Sequence, residues 1–269
     1  MAISLGINDL KELSLLMTEK TGYPFHDLSF SFLKRRLQLF FDKLFIKSNE
    51  RFVAQLEDES FVKSMLYHIP VETTEMFRDP GFWRSLNSKV LQKINGSNGV
   101  VWFPDVASGE ELMSFLIMCQ EIPELPLQRI YYNHPSVARL EEIKHGLLNG
   151  KNKELNDNNF KRLEINKELD DYIELRDNSY MVKSKFLENT ISVKGWFYDA
   201  PKEQVSIIIM RNVMLYMTKM MQEKVGQIIY DSLLPGGFLA IGIKENLPDY
   251  LVERLDVVDE QERIYKKPI

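Results

Sequence analysis

The spacing of apolar residues changes near residue 95, and this change limits the possible folds more than any other feature of the chain. Before that point, apolar residues recur every three or four positions, as between Phe30 and Leu44, which is the spacing of amphipathic helices. After the turn-forming sequence Asn95–Gly99, short apolar segments alternate with helical patterns. That alternation is typical of a parallel α/β sheet.

In the first half, turn and capping residues divide the helical pattern. The sequence Thr21-Gly22-Tyr23-Pro24 closes the first helix, because glycine and proline are the usual residues at a helix end. A third helix is predicted from Asn49 to Tyr67. Asp79 and Pro80 open a fourth helix, with Asp79 as its N-cap and Pro80 at its first position.

In the second half, apolar strand patterns alternate with helical ones. The predicted strands are Val100–Phe103, Leu127–Tyr132, Val205–Met210 and Phe238–Ile243, and the predicted helices are Glu110–Glu121, Ser136–Leu148 and Thr218–Leu233. The stretch from Gly150 to Lys194 is rich in asparagine and charge and contains only two short β patterns, Tyr180–Val182 and Thr190–Val193. We predict a small β subdomain or insertion there.

Composition and charge exclude several functional classes. The 39 acidic residues outnumber the 34 basic ones and give a net charge of -5, which argues against a general nucleic-acid-binding protein. One cysteine, Cys119, and four dispersed histidines lack the ligand spacing of a zinc site, so no metal is expected. The apolar runs are far shorter than the roughly 20 residues of a membrane span, and Met1–Ser4 does not begin a signal peptide. We therefore expect a cytoplasmic protein without membrane insertion.

The residues that follow each strand are the first candidates for function, because ligands of open α/β sheets bind beyond the carboxyl ends of the strands. The loop Pro104–Glu111 has mostly small residues and ends in two acids. It suits a nucleotide-like ligand or, more simply, an ordinary turn in which Ser108 caps the next helix. Asn133-His134-Pro135 carries no acid, whereas Arg211-Asn212 follows a strongly apolar strand. The segment Thr73–Pro80 lies between the two halves, where a cleft is expected.

Five segments, in this order along the chain, resemble the chemotaxis receptor (CheR-type) methyltransferases, which use S-adenosylmethionine to esterify receptor glutamates. Thr73–Pro80 resembles the family's Thr-x-Phe-Phe-Arg signature, and Trp102–Ser114 resembles its loop with the sequence Gly-Glu-Glu. The other three segments are Leu140–Gly146, Met210–Tyr216 and Leu234–Gly242.

This resemblance implies a fold and a division into domains. Residues 76–269 would form a Rossmann-like, doubly wound class I methyltransferase sheet that binds S-adenosylmethionine. Residues 1–75 would form an all-helical N-terminal domain, and residues 150–194 the small β subdomain. The protein is expected to be a monomer.

The resemblance also implies a cofactor site. Thr74, Arg78 and Glu110 match family positions that line the cleft for the cofactor and the methyl acceptor. Asn212 and Val213 match a pair that contacts the cofactor.

At three places the cofactor site differs from the family pattern. His134 stands where the family has an aspartate for the ribose hydroxyls, and it could donate to a ribose oxygen instead. Trp196 and Phe197 replace an Asn-Leu pair near the adenine, so that Trp196 could stack on the base. Asp105 replaces a small residue and could accept from the ribose or attract the positive methionine end.

The implied chemistry is methyl transfer to a carboxylate, for which positioning and electrostatics suffice without a general base. The candidate catalytic residues are Arg78, which would orient the acceptor glutamate or hold the cofactor carboxylate, and Tyr216, which would lie near the sulfonium. Glu110 would bind the amino group of the methionine moiety. The basic cluster Lys34–Arg36 is the candidate surface for an acidic protein substrate such as the cytoplasmic coil of a chemoreceptor.

Two alternatives remain open at this point. The chain could be a degenerate methyltransferase fold that acts as a cofactor-free signalling scaffold, in which case Trp196 or Phe197 would fill the pocket. It could also methylate a small carboxylic acid, which would need no exposed acceptor surface.

Overall fold

The computed structural model describes residues 5–94, 99–122, 125 and 127–269. The predicted turn at residues 95–98 and the segment Met1–Ser4 lie outside the described residues. The helices are α1 (Ile7–Thr21), α2 (Phe30–Lys43), α3 (Asn49–Gln55), α4 (Glu59–His68), α5 (Pro80–Lys89), α6 (Glu110–Gln120), α7 (Val137–Lys144), α8 (Lys153–Lys161), α9 (Lys219–Ser232) and α10 (Asp249–Val252). The strands are β1 (Gly99–Phe103), β2 (Leu127–His134), β3 (Leu147–Leu148), β4 (Ile173–Arg176), β5 (Ser179–Val182), β6 (Thr190–Lys194), β7 (Val205–Met210), β8 (Leu233–Ile241), β9 (Asp256–Asp259) and β10 (Ile264–Lys266).

The helical N-terminal region has the predicted character but one more break. α1 ends where Gly22 takes a left-handed conformation (φ 72°) and donates its N–H to the Thr18 carbonyl. The prediction of one helix from Asn49 to Tyr67 is wrong, because α3 ends at Gln55 and α4 begins at Glu59. The Asp58 side chain accepts a hydrogen bond from the N–H of Ser60 at 2.8 Å and so starts a new helix as its N-cap.

The large sheet has the strand order β6-β2-β1-β7-β8-β10-β9. The first five strands pair in parallel, while β10 runs antiparallel to β8 and β9. The chain moves outward from β1 in both directions, so the topological switch point lies between β1 and β7. A crevice is expected at the carboxyl ends of these two strands. This arrangement confirms the predicted Rossmann-like, doubly wound α/β fold.

The second, smaller sheet has the order β3-β5-β4 and is antiparallel. Its strand β3 lies within the helix that was predicted to reach Leu148. The helix α7 instead ends before Gly146 (φ 71°), where an added Cβ would lie 2.6 Å from the Val182 carbonyl oxygen. The β pattern at Thr190–Val193 does not belong to this small sheet, since β6 pairs with β2 at the edge of the large one.

The N-terminal helices pack against the segment that follows β7. The N–H of Ser29 donates to the Tyr216 carbonyl at 2.7 Å, and the N–H of Thr218 donates to the Asp27 carbonyl at 2.9 Å. Buried residues of α2 belong to the same apolar core as the residues after β6. The helical region therefore forms one wall of the crevice. None of the described helices has the length and apolar character that crossing a membrane requires.

Candidate functional site

The loop after β1 turns sharply at two residues with left-handed backbone. Ala107 has φ 47° and Gly109, which precedes α6, has φ 96°. A Cβ on Gly109 would lie 2.7 Å from Ile143, so only glycine fits between the loop and α7. The capping of α6 by Ser108 that a plain turn would provide is not observed. The Ser108 hydroxyl accepts from the N–H of Thr74 at 2.8 Å instead, and thereby ties this loop to the segment 71–78.

The loop after β7 is held by a buried carboxylate from the loop after β8. Asn212 is left-handed (φ 59°), and its N–H donates to Glu245 Oε2 at 2.8 Å. The same oxygen accepts from the N–H of Gly242 at 2.6 Å, and Oε1 accepts from the N–H of Leu215 at 3.3 Å. Glu245 is 2% exposed, and burial raises the pKa of its carboxyl. Glu245 thus fixes the backbone that presents Asn212.

Arg211 joins three elements around the cleft through ion pairs. Its Nη2 lies 2.7 Å from Asp79 Oδ2, its Nη1 lies 2.8 Å from Glu111 Oε1, and its side chain is fully buried. The guanidinium also lies 3.9 Å from the ring centre of Phe82. Asp79 holds the predicted N-cap position of α5, but its side chain makes no capping hydrogen bond and pairs with Arg211 instead. Pro80 does occupy the first turn of α5.

A cavity of about 130 Å³ lies at the switch point, between the segment 71–78 and the loops after β1 and β7. Its wall includes six of the predicted site residues. They are Thr74, Arg78, Asp105, Asn212, Val213 and Tyr216. The structure therefore brings together residues as far apart in the chain as Thr74 and Tyr216.

Glu110 lies directly behind Thr74. Its Oε2 accepts from the Thr74 hydroxyl at 2.6 Å and from the Ser108 hydroxyl. Glu110 is 1% exposed, and burial raises the pKa of its carboxyl against the lowering effect of the two hydroxyls. It faces a second, more open cavity of about 320 Å³ between α4 and α7. Thr74 therefore lies between Glu110 and the first cavity, and its hydroxyl is polarised by the Glu110 carboxylate.

Asp105 lines the first cavity and contacts Trp196. Its Oδ1 accepts from the N–H of Ala107 at 2.9 Å, and its Oδ2 accepts from Trp196 Nε1 at 3.2 Å. Burial raises the pKa of Asp105 to about 6, although both hydrogen bonds favour the ionised form. Burial and the charge of Asp105 in turn raise the pKa of Tyr23 well above its usual value.

Three residues expected at the nucleoside end are buried and do not line the first cavity: His134, Trp196 and Phe197. Trp196 packs against Tyr23 with ring centres 4.8 Å apart and against Phe197 at 4.3 Å. His134 Nδ1 accepts from the N–H of Ser136 at 3.0 Å, which leaves the proton on Nε2. That buried Nε2 has no hydrogen-bond partner among the described residues. Burial, followed by the charge of Arg139, lowers the pKa of His134 to about 3, so the ring is neutral.

Tyr216 reaches the cavity from the helical side of the cleft. Its ring stacks on Phe32 of α2, with centres 4.3 Å apart and an interplanar angle of 28°. Tyr216 is thus positioned by the N-terminal helices as well as by the loop after β7.

The basic cluster on α2 is only partly available for a partner. Arg36 Nε donates to the Ile69 carbonyl at 2.8 Å, and its Nη2 donates to the carbonyls of His68 and Pro70. These contacts satisfy the end of α4. Arg36 is therefore a structural residue, while Lys34 and Arg35 are exposed.

Part of the strained backbone in the described residues lies around the cavity. Four non-glycine residues with positive φ flank it: Phe77 (52°), Asp79 (56°), Ala107 (47°) and Asn212 (59°). Such conformations cost roughly 1–3 kcal/mol each and are found mostly at functional sites. The surrounding ion pairs and hydrogen bonds hold these residues in place.

Sequence reasoning did not assign roles to Arg211, Glu245, Glu111 and Tyr23. Arg211 and Glu245 each follow a strand of the large sheet, which was the available signal. The sequence contains no such signal for Tyr23. It lies between Gly22 and Pro24 in the turn after α1, and the end of that helix accounts for this segment without a role in the cleft.

The first cavity combines the guanidinium of Arg78, which is 42% exposed, with the carboxylate of Asp105 and the amide of Asn212. Such a set can hold a ligand that carries both charges, and Arg78 can orient a carboxylate through two parallel hydrogen bonds. Among the residues that the structure describes, no group of three or more His, Cys, Asp or Glu side chains could hold a metal ion.

Comparisons with known proteins point to one enzyme class. The family described as "CheR methyltransferase, SAM binding domain" matches residues 72–264. A Pseudomonas putida protein named "Putative methyltransferase Cher3" is 24% identical over 255 residues, which cover 92% of each chain. The matched region contains the segment 73–80, both loops and the cavity between them.

Two solved structures illustrate more distant similarity. The N-methyltransferase NodS from Bradyrhizobium japonicum WM9, in complex with S-adenosylhomocysteine, has 11% identity and a TM-score of 0.42, over 72% of this chain and 89% of that chain. A structure from Methanococcus maripaludis, described as an S-adenosylmethionine-dependent methyltransferase, has 11% identity and a TM-score of 0.38, over 79% of this chain and 92% of that one.

Proposed function

Since this chain belongs to the CheR methyltransferase family, we propose that it transfers a methyl group from S-adenosylmethionine to a carboxylate, a glutamate side chain of a chemoreceptor or related signalling protein. The observation that carries the proposal is the convergence of Thr74, Arg78, Asp105 and Asn212 on one cavity at the switch point of the sheet. Ligands of doubly wound sheets bind at this place.

The residues around the cavity fit the methionine end of the cofactor. Thr74, backed by the buried charge of Glu110, matches its amino group. The Asn212 amide offers a donor and an acceptor for the part of the cofactor between the methionine end and the nucleoside. Val213 gives an apolar surface beside Asn212. Asp105 would attract the positive sulfonium.

The nucleoside end fits less directly. The cavity of about 130 Å³ is smaller than the roughly 300–1,000 Å³ of most small-molecule sites. Trp196 and Phe197 are buried beside it, and the Nε2–H of His134 has no acceptor in the part of the chain that the structure describes. We infer that the packed pair of Trp196 and Tyr23 moves when the nucleoside binds, so that Trp196 faces the adenine and His134 reaches the ribose.

The chemistry requires positioning more than proton transfer. S-adenosylmethionine supplies, when bound, an electrophilic methyl group on a sulfonium. An ionised acceptor carboxylate is already a competent nucleophile, so no residue of this chain has to remove a proton. Arg78 holds the acceptor carboxylate in line, and Tyr216, fixed by Phe32, shields the reacting groups from water. Exclusion of water strengthens the electrostatic contacts inside the site.

One observation favours a second candidate function. Trp196 and Phe197 are 3% and 0% exposed, as expected if the fold serves as a cofactor-free signalling scaffold. The family match to an S-adenosylmethionine-binding domain favours the enzyme over the scaffold.

The deciding experiment is a calorimetric titration of the purified protein with S-adenosylhomocysteine, the product form of the cofactor. We expect a dissociation constant of the order of 1 µM to 10 µM. A Thr74→Val variant, which lacks the hydroxyl matched to the amino group, should bind more weakly, and an Arg176→Ala variant, altered at an exposed site on β4, should bind as the wild type does. Absence of binding up to about 1 mM would contradict the enzyme and leave the scaffold.

A further inference from the structure

A groove adjoins the first cavity, where methyl transfer is proposed. It has a volume of about 450 Å³ and lies between α5, α8, the loop after β8 and the turn between β9 and β10. Arg78 and Glu75 line both the groove and the cavity. A chain lying in the groove would therefore pass beside the guanidinium that faces the cavity.

Two further arginines line this groove. Arg84 on α5 and Arg162 at the end of α8 are both exposed. Arg84 Nη1 donates to the Arg162 carbonyl at 2.5 Å, which holds the two residues next to each other. Within the described part of the chain, no carboxylate lies within 4.0 Å of either guanidinium. Their remaining donors are available for carboxylates of another molecule.

The carboxylates of the groove are partly neutralised by other contacts. Asp79 pairs with Arg211 at 2.7 Å. Glu75 lies 3.8 Å from Arg78 and accepts from Asn159 at 3.0 Å. Burial, followed by the charge of Asp259, raises the pKa of Glu262. Glu262 packs so closely on Gly81 that an added Cβ there would lie 2.2 Å from its oxygen.

The helix α2 competes poorly with this groove as an acidic-partner site. Arg36 is committed to the end of α4, so only Lys34 and Arg35 of the basic cluster Lys34–Arg36 are exposed. Neither of them lines the cavity or the groove, whereas Arg78 lines both.

We propose that an acidic segment of the acceptor protein docks in the groove of Arg84 and Arg162 and presents its glutamate to Arg78. This inference rests on the proposed methyltransferase function, since it names the path by which the acceptor reaches the same site. Arginine is suited to this role because its planar guanidinium binds a carboxylate through two hydrogen bonds.

The test measures docking separately from cofactor binding. The probe is a fluorescein-labelled hexaglutamate peptide, and its binding is followed by fluorescence anisotropy at low ionic strength, with the full chain saturated with S-adenosylhomocysteine or without it. The double variant Arg84→Glu/Arg162→Glu should bind at least about tenfold more weakly than wild type. Lys47→Glu/Arg51→Glu, at exposed positions on and just before α3, changes the net charge equally, is the matched control and should change affinity less than about twofold. Glu262→Gln removes an opposing charge and should strengthen binding.

Three results would overturn the docking site: no binding of the peptide by the wild type, unchanged binding by the double variant, or a larger loss in Lys34→Glu/Arg35→Glu than in the double variant. Calorimetry with S-adenosylhomocysteine on the same preparations keeps the two proposals apart. If the cofactor binds and the groove variants bind peptide normally, only the groove is wrong. If the wild type fails to bind the cofactor, the methyltransferase function fails, while the peptide titration without cofactor still decides the groove.

Discussion

The carboxylate of Glu245 lies 2.8 Å from the backbone nitrogen of Asn212, 33 residues away in the chain, and holds that residue in its left-handed conformation. The same carboxylate accepts hydrogen bonds from the N–H groups of Gly242 and Leu215. One buried charge thereby shapes the loops after two neighbouring strands, β7 and β8, and sets the direction of the Asn212 side chain.

Replacing Glu245 should therefore affect both stability and cofactor binding. We expect Glu245→Ala to lower the free energy of unfolding by about 1–3 kcal/mol, because it leaves buried N–H groups unpaired, and to weaken S-adenosylhomocysteine binding. Glu245→Gln should lose less, since one amide oxygen still accepts. Denaturant unfolding and calorimetry measure the two effects, with exposed Glu260→Ala as the control. Wild-type affinity in Glu245→Ala would remove this residue from the positioning of Asn212.

Arg211 should be among the most sensitive positions in the chain. Arg211→Met leaves Asp79 and Glu111 without their buried partner, and breaking such a pair costs about 3–5 kcal/mol. Arg129→Met, which breaks a half-exposed pair with Glu203, should cost about 0–1 kcal/mol. Equilibrium unfolding in urea compares the two variants. Similar losses of unfolding free energy in both variants would show that the buried Arg211 pairs contribute no more to stability than a half-exposed pair.

Arg78→Ala should abolish methyl transfer while leaving the fold intact. Its side chain is 42% exposed and makes one loose ion pair with Glu75 at 3.8 Å, so stability should change by less than about 1 kcal/mol. Transfer is measured as base-labile methyl label from radioactive S-adenosylmethionine in an extract of the native organism, with Arg176→Ala as the control. Normal transfer by Arg78→Ala would exclude Arg78 from the mechanism.

Ionisation of Asp105 should be visible in the fluorescence of Trp196. Burial raises the pKa of Asp105 to about 6, and Trp196 Nε1 donates to this carboxyl. We expect a step in tryptophan emission with a midpoint near pH 6 that disappears in Asp105→Asn and in Trp196→Phe. The other tryptophans donate to the Arg78 carbonyl and to Asn133, groups that do not titrate.

The same shift has a consequence for stability. The pKa of Asp105 in the folded protein lies above its usual value of 3.8, so the folded state binds the proton more tightly than the unfolded state does. Its contribution to stability is thus present below about pH 4 and is lost as the pH rises through 6, by up to about 3 kcal/mol. Unfolding of wild type and Asp105→Asn at pH 4 and pH 7 measures this difference. An equal pH dependence in both would contradict the shift.

His134 should remain neutral under all physiological conditions. Burial, followed by the charge of Arg139, lowers its pKa to about 3, and Nδ1 accepts from Ser136. Nitrogen NMR should show the Nε2–H tautomer without titration between about pH 5 and 8, the signal being assigned by its loss in His134→Gln. Because the unfolded state takes up a proton first, this residue's contribution to stability should fall as the pH drops from about 6.5 toward 3. A ring that titrates near neutrality would contradict the buried, neutral state.

The sequence anticipated the secondary structure best where patterns are local. The alternation of β1, α6 and β2 follows from the spacing of apolar residues, and Gly22 ends α1 as expected. The break at Asp58 was missed because the apolar spacing continues through it, although the capping carboxylate interrupts the helix. β6 was placed in the small sheet because its sequence shows that it is a strand and does not show which strand it pairs with.

The candidate site divides in the same way. Thr74, Arg78, Asp105 and Asn212 were named through the family resemblance, in segments that follow a strand or lie between the two halves of the chain, and they do share a cavity. Trp196 and His134 were expected beside them and are instead buried at its margin. Arg36 was expected on a recognition surface and instead satisfies carbonyl groups at the end of α4, 33 residues away.

The sequence by itself determined the periodicity, some helix ends such as that at Gly22, and the fold class, because helical hydrogen bonds and caps are made between near neighbours and strands follow from one repeating pattern. Only the tertiary structure decided the partners of the charged and aromatic side chains: Glu245 with Asn212, Arg211 with Asp79, and Asp105 with Trp196 across 91 residues. The physical reason is that such contacts depend on which loops the strand order brings to one edge of the sheet. A buried charge then pairs with whatever complementary group lies within reach.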